Sequence, residues 1–296
     1  MGCIMSKKGF VILAINTEQS MLNYAYATAA SIKLSDPESS ICIVLDKGAE
    51  LPKIYANVFD YVTELPFGNS AYKDGFHGMN VWQMIHATPY DETIYVDFDT
   101  IFLNVDVELL WETMSKNDIS IPSAARTYRN QPLRLGSSLF EYESHYELPK
   151  LYNSMIYFKR DSQSAIEWFK MADAVLQNWR EIYSSLMPDK KPPRFSKNIL
   201  CNIVTHLLDV ESNLKVVNND FYDLHTTSQW LWNNDVPDEW TEVLNYWFPE
   251  NKKLIIENSI ISSGIVHYRD LNFITEEILN EYRTQIDISS RRKAAS

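Results

Sequence analysis

Cysteine is scarce: Cys3, Cys42 and Cys201 are scattered thiols without CxxC spacing. That pattern argues against a disulfide or zinc framework and points to a reducing compartment. Long hydrophobic runs are missing as well. The opening MGCIMSKKGF has no signal-peptide core, and the apolar run from Phe10 breaks at Asn16 and Thr17, too short for a membrane span. Gly2 and Cys3 resemble an acylation signal, yet a flexible start over about residues 1–8 is the expectation. Basic residues are outnumbered: 27 Lys and Arg face 39 Asp and Glu, a formal net charge of −12. Such a balance argues against non-specific coating of nucleic acid, which needs cations for the phosphates, but leaves room for a local basic groove. Internal repeats and a clean linker are also lacking, so one domain over residues 1–296 is expected, soluble and cytoplasmic, with a flexible tail over about 288–296.

What is present is ordinary in bulk, with 45% hydrophobic and 22% charged residues. Aromatics reach 13%, including eight Trp and seventeen Tyr. That excess suits a cleft for sugars or bases, and it equally suits a large core.

Along the chain, FVILAI (10–15) is a continuous apolar run of the kind found in strands covered on both faces. Asn16-Thr17-Glu18 starts a helix with Leu22, Ala25, Tyr26, Ala29 and Ile32 at helical spacing, and Asp36-Pro37 ends it. ICIVLD (41–46) follows as a second strand. This βαβ opening predicts a doubly wound α/β fold. Further strands are expected at 59–65, at ETIYVDFDT (92–100) and at SMIYFKR (154–160). A short helix around Val81-Trp82-Ile85 stops before Pro89. A long helix from Ser162 presents Ile166, Phe169, Ala172, Leu176, Trp179 and Tyr183 to the core. The proline-rich segment 187–194 reads as a loop and 199–208 as a helix. Residues 220–249, rich in Trp, Asn and Asp, read as an irregular cleft wall. IIENSIISSGIVHYRD offers a strand ending near His267, followed by a helix over 275–283.

YVDFDTIF (95–102) raises the chemical question. Asp97 and Asp99 stand at the end of a run that looks buried, where like charges repel and each costs several kcal/mol unless paired. The C-terminal ends of strands are where open parallel sheets bind ligands. A divalent cation answers the question: Mg²⁺ and Mn²⁺ take carboxylate oxygens, and Mn²⁺ also takes imidazole. His267, ending a second apolar run, is the candidate third ligand; a lone histidine is otherwise more often a satisfied core residue.

Four ordered segments then carry a resemblance. FVILAINT, YDETIYVDFDTIF, LYNSMIYFKR and GIVHYRD are similar to the motifs of GT-A glycosyltransferases of the glycogenin and bacterial galactosyltransferase type. The resemblance implies an α/β GT-A fold, a Rossmann-like and mostly parallel sheet flanked by helices. It also implies a metal-dependent glycosyltransferase that moves a hexosyl or pentosyl group from a nucleotide sugar, usually a UDP-sugar, to a hydroxyl, with retention of configuration. The resemblance assigns Asp97, Asp99 and His267 to Mn²⁺ or Mg²⁺, and Asp97 to the donor ribose as well. Asn16 falls near the base or ribose, Asn153 and Ser154 face the transferred sugar or acceptor, and Arg269 neutralises phosphate. Two departures stand out. The Gly-x-x-Lys-Pro-Trp ending is missing, and Ser196-Lys197-Asn198 stands where the family has an acidic Asp-Gln-Asp cluster, leaving Asn198 as the polar contact to the reacting sugar.

The acceptor is less defined. Arg126, Arg129 and Arg134, with Lys190, Lys191, Arg194 and Lys197, form either two solvated loops or the walls of a basic groove. Trp230, Trp232, Trp240 and Trp247 are candidates to stack on a base or sugar. The opening NTEQSMLNYAYATAASIKLSDPESSICIVLD and HYRD are similar to T-even-like phage glycosyltransferases, which implies an acceptor such as a flipped hydroxymethylated pyrimidine in DNA. A glycan, lipid or protein acceptor is the alternative. A second alternative reads Asp97-Phe98-Asp99-Thr100 as the first motif of a haloacid-dehalogenase-type phosphatase, with Asp97 as nucleophile and Asp99 as general acid/base. That motif usually opens its domain, whereas here several elements precede it. A simple carbohydrate-binding module has no need of a metal pair at a strand end.

Overall fold

The structure, a computed structural model, describes residues 8–15, 19–69, 77–132, 151–186, 197–216, 220–224, 240–249 and 253–295. Its centre is a seven-stranded sheet. The members are β1 (Lys8–Leu13), β2 (Ile41–Leu45), β3 (Tyr61–Glu64), β4 (Glu92–Val96), β6 (Ile119–Pro122), β7 (Met155–Lys159) and β8 (Lys215–Val216), in the order β3-β2-β1-β4-β7-β6-β8. Strands β3, β2, β1 and β4 run parallel, β7 is antiparallel to both neighbours, and β8 is parallel to β6. The expected mostly parallel α/β sheet is therefore present.

Both faces of this sheet are covered, which is why its strands read as unbroken apolar runs. Alternate side chains of β1 serve opposite layers. Phe10 and Ile12 pack with helices α1 (Gln19–Ser35), α3 (Val107–Met114) and α8 (Glu276–Ala295), whereas Val11 and Leu13 pack with α4 (Gln163–Gln177) and α6 (Lys197–Leu207). Each such side chain taken fully out of water contributes roughly 1.5–3 kcal/mol. Shorter helices α2 (Met84–Ala87), α5 (Trp179–Leu186) and α7 (Glu211–Leu214) complete the second layer.

Two small sheets lie on the α1 side. One joins β10 (Tyr246–Trp247), β11 (Leu254–Ile256) and β12 (Ser259–Ile261); the other joins β5 (Thr100–Leu103), β13 (Gly264–His267) and β9 (Phe221–Asp223) in the order β5-β13-β9. The chain thus leaves the main sheet after Val96 and enters the second small sheet at Thr100. The one strand expected across ETIYVDFDT is two, and the acidic pair occupies the break between them.

Three other expectations change. The long helix from Ser162 ends at Asn178, whose side chain donates to the Ala174 carbonyl at 2.8 Å and so competes with the helical ladder. The buried face of α4 is Ala165, Trp168, Phe169, Ala172 and Val175, so the stripe is rotated from the one anticipated and Ile166, Leu176 and Trp179 are only partly buried. The side chain of Tyr183 lies outside the described residues. The C-terminal helix expected over 275–283 is longer, and α8 continues through Ala295. Ile278, Leu279, Tyr282 and Ile286 bury one face of that helix, and strong helix formers extend it.

Candidate metal centre

The acidic pair and the histidine meet through strand register. β13 pairs with β5 so that His267 faces Thr100, the residue after Asp99. The Tyr268 amide donates to the Asp99 carbonyl at 3.0 Å, which locks the two chain segments together. On the other side, Val96 pairs with Met155, and the Asp97 amide donates to the Ser154 carbonyl at 2.8 Å. The Phe98 carbonyl between the acids accepts from the Thr28 hydroxyl of α1 at 2.7 Å.

The result is a compact donor set. One ligand atom each from Asp97, Asp99 and His267 lies within 4.8 Å of the others. His267 Nε2 is 3.0 Å from Asp99 Oδ1 and 3.9 Å from Asp97 Oδ2. Burial alone would raise the Asp99 pKa; His267, with help from Arg269 and Lys197, outweighs it and holds the carboxyl at about 2. Two aspartate side chains and one histidine make a hard-oxygen and nitrogen donor set that suits Mn²⁺ or Mg²⁺. Among the described residues the buried Ser154 hydroxyl has no hydrogen-bond partner, nor has His267 Nδ1, on the ring edge away from Nε2 and the carboxylates. The convergence of the two carboxyl groups and Nε2 fits a bound divalent ion.

Cations crowd the centre. Arg269 adopts φ of 58°, uncommon for a residue with a side chain, and its guanidinium donates twice to Asp223, at 3.0 Å each. Asp223 ends β9 opposite His267. Lys197, the first residue of α6, donates to Asp97 Oδ1, which also accepts from the Tyr95 hydroxyl at 2.6 Å. Burial, then the neighbouring Asp97, pushes the Tyr95 hydroxyl well above its ordinary pKa, so it stays a donor.

The predicted residues therefore separate. Asp97, Asp99, His267 and Arg269 converge, and Asn153 and Ser154 lie beside Asp97. Asn153 and Ser154 are buried, and the Asn153 amide contacts the Cys201 sulfur at 3.6 Å. Asn198 sits in the first turn of α6, but its side chain is outside the described residues, as are Asn16, Arg134, Lys190, Lys191, Arg194, Trp230 and Trp232. Trp240, anticipated on a cleft wall, is instead fully buried. Its indole donates to the Tyr268 carbonyl at 2.8 Å and its rings pack on Tyr246 and Phe273. Lys197 is turned into the site rather than along a basic loop.

Sequence reasoning passed over Tyr95, Asp223 and Thr28 and gave Lys197 a different role. Tyr95 carried a signal, since it lies two positions before Asp97 and strands alternate faces. Lys197, read as part of a basic loop, carried a signal for the site because it occupies the stretch aligned with the acidic cluster. Asp223 and Thr28 have roles created by register and packing, and nothing local marks them.

No protein-family profile and no curated protein sequence matches the chain. Solved structures do. The fold is that of the GT-A glycosyltransferases. The chain is similar to galactosyltransferase LgtC, solved in complex with donor and acceptor sugar analogs, at 12% identity and a TM-score of 0.54, over 94% of this chain and 95% of that one. It is also similar to the apo form of the glycosyltransferase GlyE of Streptococcus pneumoniae TIGR4, at 12% identity and a TM-score of 0.50, over 98% of this chain and 64% of that one. Among the described residues no helix is long and apolar enough to cross a membrane.

Proposed function

We propose that this protein is a metal-dependent glycosyltransferase, acting as one domain in the cytoplasm, that moves a sugar from a nucleotide-sugar donor to a hydroxyl acceptor. The observation that carries this reading is the meeting of Asp97, Asp99 and His267 at the junction of two sheets in a GT-A fold. These residues would hold Mn²⁺ or Mg²⁺, and a bound ion would supply Lewis-acid stabilisation of the leaving diphosphate. Asp97 also orients toward the donor ribose. Asn16 contacts the base or ribose, a uridine in the favoured reading. Ser154 and Asn153 line the sugar side, and Asn198, in the first turn of α6, contacts the reacting sugar. Arg269, with its guanidinium plane set by Asp223, presents positive charge to the phosphates. Transfer proceeds with retention, which proton NMR of the product anomer checks directly.

The acceptor reading is a hydroxymethylated pyrimidine of phage DNA, supported by the sequence resemblance and by Arg126 and Arg129, three positions apart in the chain. A glycan, lipid or protein hydroxyl is the alternative. Charge reversal at Arg126 and Arg129 is expected to weaken DNA binding at low salt; unchanged affinity removes DNA from the proposal.

The deciding experiment is thermal melting with Mn²⁺ and UDP, GDP, ADP or CMP in turn. A ligand that binds only the folded state raises the melting temperature by mass action. A rise that needs both Mn²⁺ and UDP and disappears in Asp99→Ala supports the reading. No rise with any of the four nucleotides removes it.

A further inference from the structure

Lys197 sits at the electrostatic position a metal ion would claim. Its ammonium donates to Asp97 Oδ1 and lies 5.1 Å from the centre of the Tyr95 ring. The Lys197 and Asp97 side chains are each 13% exposed, so water screens the pair weakly. The backbone of Lys197 is fixed, because α6 packs under the sheet through Ile199, Leu200 and Cys201. The ammonium itself is not fixed: it ends a flexible four-carbon stem and can swing away without moving the helix. Arg269, a second cation near the centre, differs in being held by two hydrogen bonds to Asp223, a residue outside the donor set.

We propose that Lys197 competes with the divalent cation for Asp97, so that the ion binds tightly only together with a nucleoside diphosphate whose oxygens receive the displaced ammonium. The inference rests on the metal reading of Asp97, Asp99 and His267 given above. Its physical basis is simple. An ammonium and a divalent ion on one carboxylate repel strongly at this separation and burial. The ammonium must therefore leave, and it needs a new anion nearby, since an unpaired charge in a half-buried site is costly. A diphosphate supplies strong charged acceptors for it. Lys197 thereby positions the donor and couples the two ligands.

The test measures Mn²⁺ binding to the whole chain through the paramagnetic resonance signal of the free ion, with Mn²⁺ alone and with Mn²⁺ plus UDP. Wild type, Lys197→Met, Lys197→Gln, Lys197→Arg and Asp99→Ala are compared, each checked for folding by circular dichroism. Lys197→Met and Lys197→Gln are expected to bind Mn²⁺ alone about tenfold more tightly than wild type, and to show about tenfold less tightening by UDP. Lys197→Arg is expected to keep the wild-type pattern. Equal or weaker binding of Mn²⁺ alone in both neutral variants, with wild-type binding abolished by Asp99→Ala, overturns the competition and leaves the metal centre standing. Tighter Mn²⁺ binding with an unchanged UDP effect overturns the hand-over to diphosphate. No Mn²⁺ binding by wild type or the Lys197 variants, with or without UDP, overturns the metal centre and this inference together.

Discussion

The seven-stranded sheet and the β5-β13-β9 sheet solve opposite problems. The large sheet is apolar on both faces, and its β1, β2 and β4 bury nearly every side chain. The small sheet ends in charge, with His267 and Asp223 paired across β13 and β9 and Asp99 just before β5. One supplies stability from many interchangeable contacts; the other supplies a few contacts that must each be right. Asp97 and Asp99 lie in the three residues that join them.

Substitutions in the two regions are expected to differ accordingly. The largest effect falls on the joint: Asp99→Ala should lower Mn²⁺-dependent sugar transfer by at least about a hundredfold, because a carboxylate leaves the donor set. The check is an assay of transfer or donor hydrolysis across Mn²⁺ concentrations. Next come two glycines, one in each region. Gly264 has φ of +127°, and a Cβ there would lie 2.6 Å from the Asp220 carbonyl oxygen. Gly264→Ala should cost about 2–4 kcal/mol and, by shifting β13, also blunt the rise in melting temperature with Mn²⁺ and UDP. Gly9→Ala drives a Cβ to 2.3 Å from the Tyr90 ring and should cost about 1–3 kcal/mol while keeping that rise. Equal loss of the ligand response in both variants would break the comparison.

A smaller effect is expected at Asp223→Asn. The amide keeps one acceptor oxygen, so one of the two hydrogen bonds to Arg269 is lost and the other loses its charge, and because Arg269 is 29% exposed, water offsets part of the loss. We expect about 2 kcal/mol by denaturant titration and weaker nucleotide binding at unchanged affinity for Mn²⁺ alone. Smallest of all is the thiol response. Burial pushes Cys42 and Cys201 up to about 12, so at pH 8 both are protonated as well as enclosed. Neither should react with Ellman's reagent until the chain unfolds, as peptide mapping would show. Rapid reaction of Cys201 in the folded protein would mean that the floor beneath Asn153 opens.

The same division sets how far the sequence could be read. Strands of the large sheet were legible because two covered faces write continuous runs such as FVILA and ICIVL. The pairing of Asp97 and Asp99 with His267 was legible through the motif order of the resemblance, and register then explains it. The break of the DxD strand was not legible, since TIF is as apolar as TIYV and only its partner differs. Trp240 was misplaced because composition cannot distinguish an indole in a cleft from one whose nitrogen meets a backbone carbonyl. Lys197 was grouped with basic neighbours in sequence, although the start of α6 turns it inward.

The hydroxyl of Thr28 on the Phe98 carbonyl has a mechanical meaning. α1 begins three residues after Asn16 and passes beneath the acidic pair, gripping the residue between the two carboxylates midway along its length. The helix is therefore a brace: its buried middle turn holds the peptide that carries Asp97 on one side and Asp99 on the other. Thr28→Val would remove that brace while leaving Asp97, Asp99 and His267 in place.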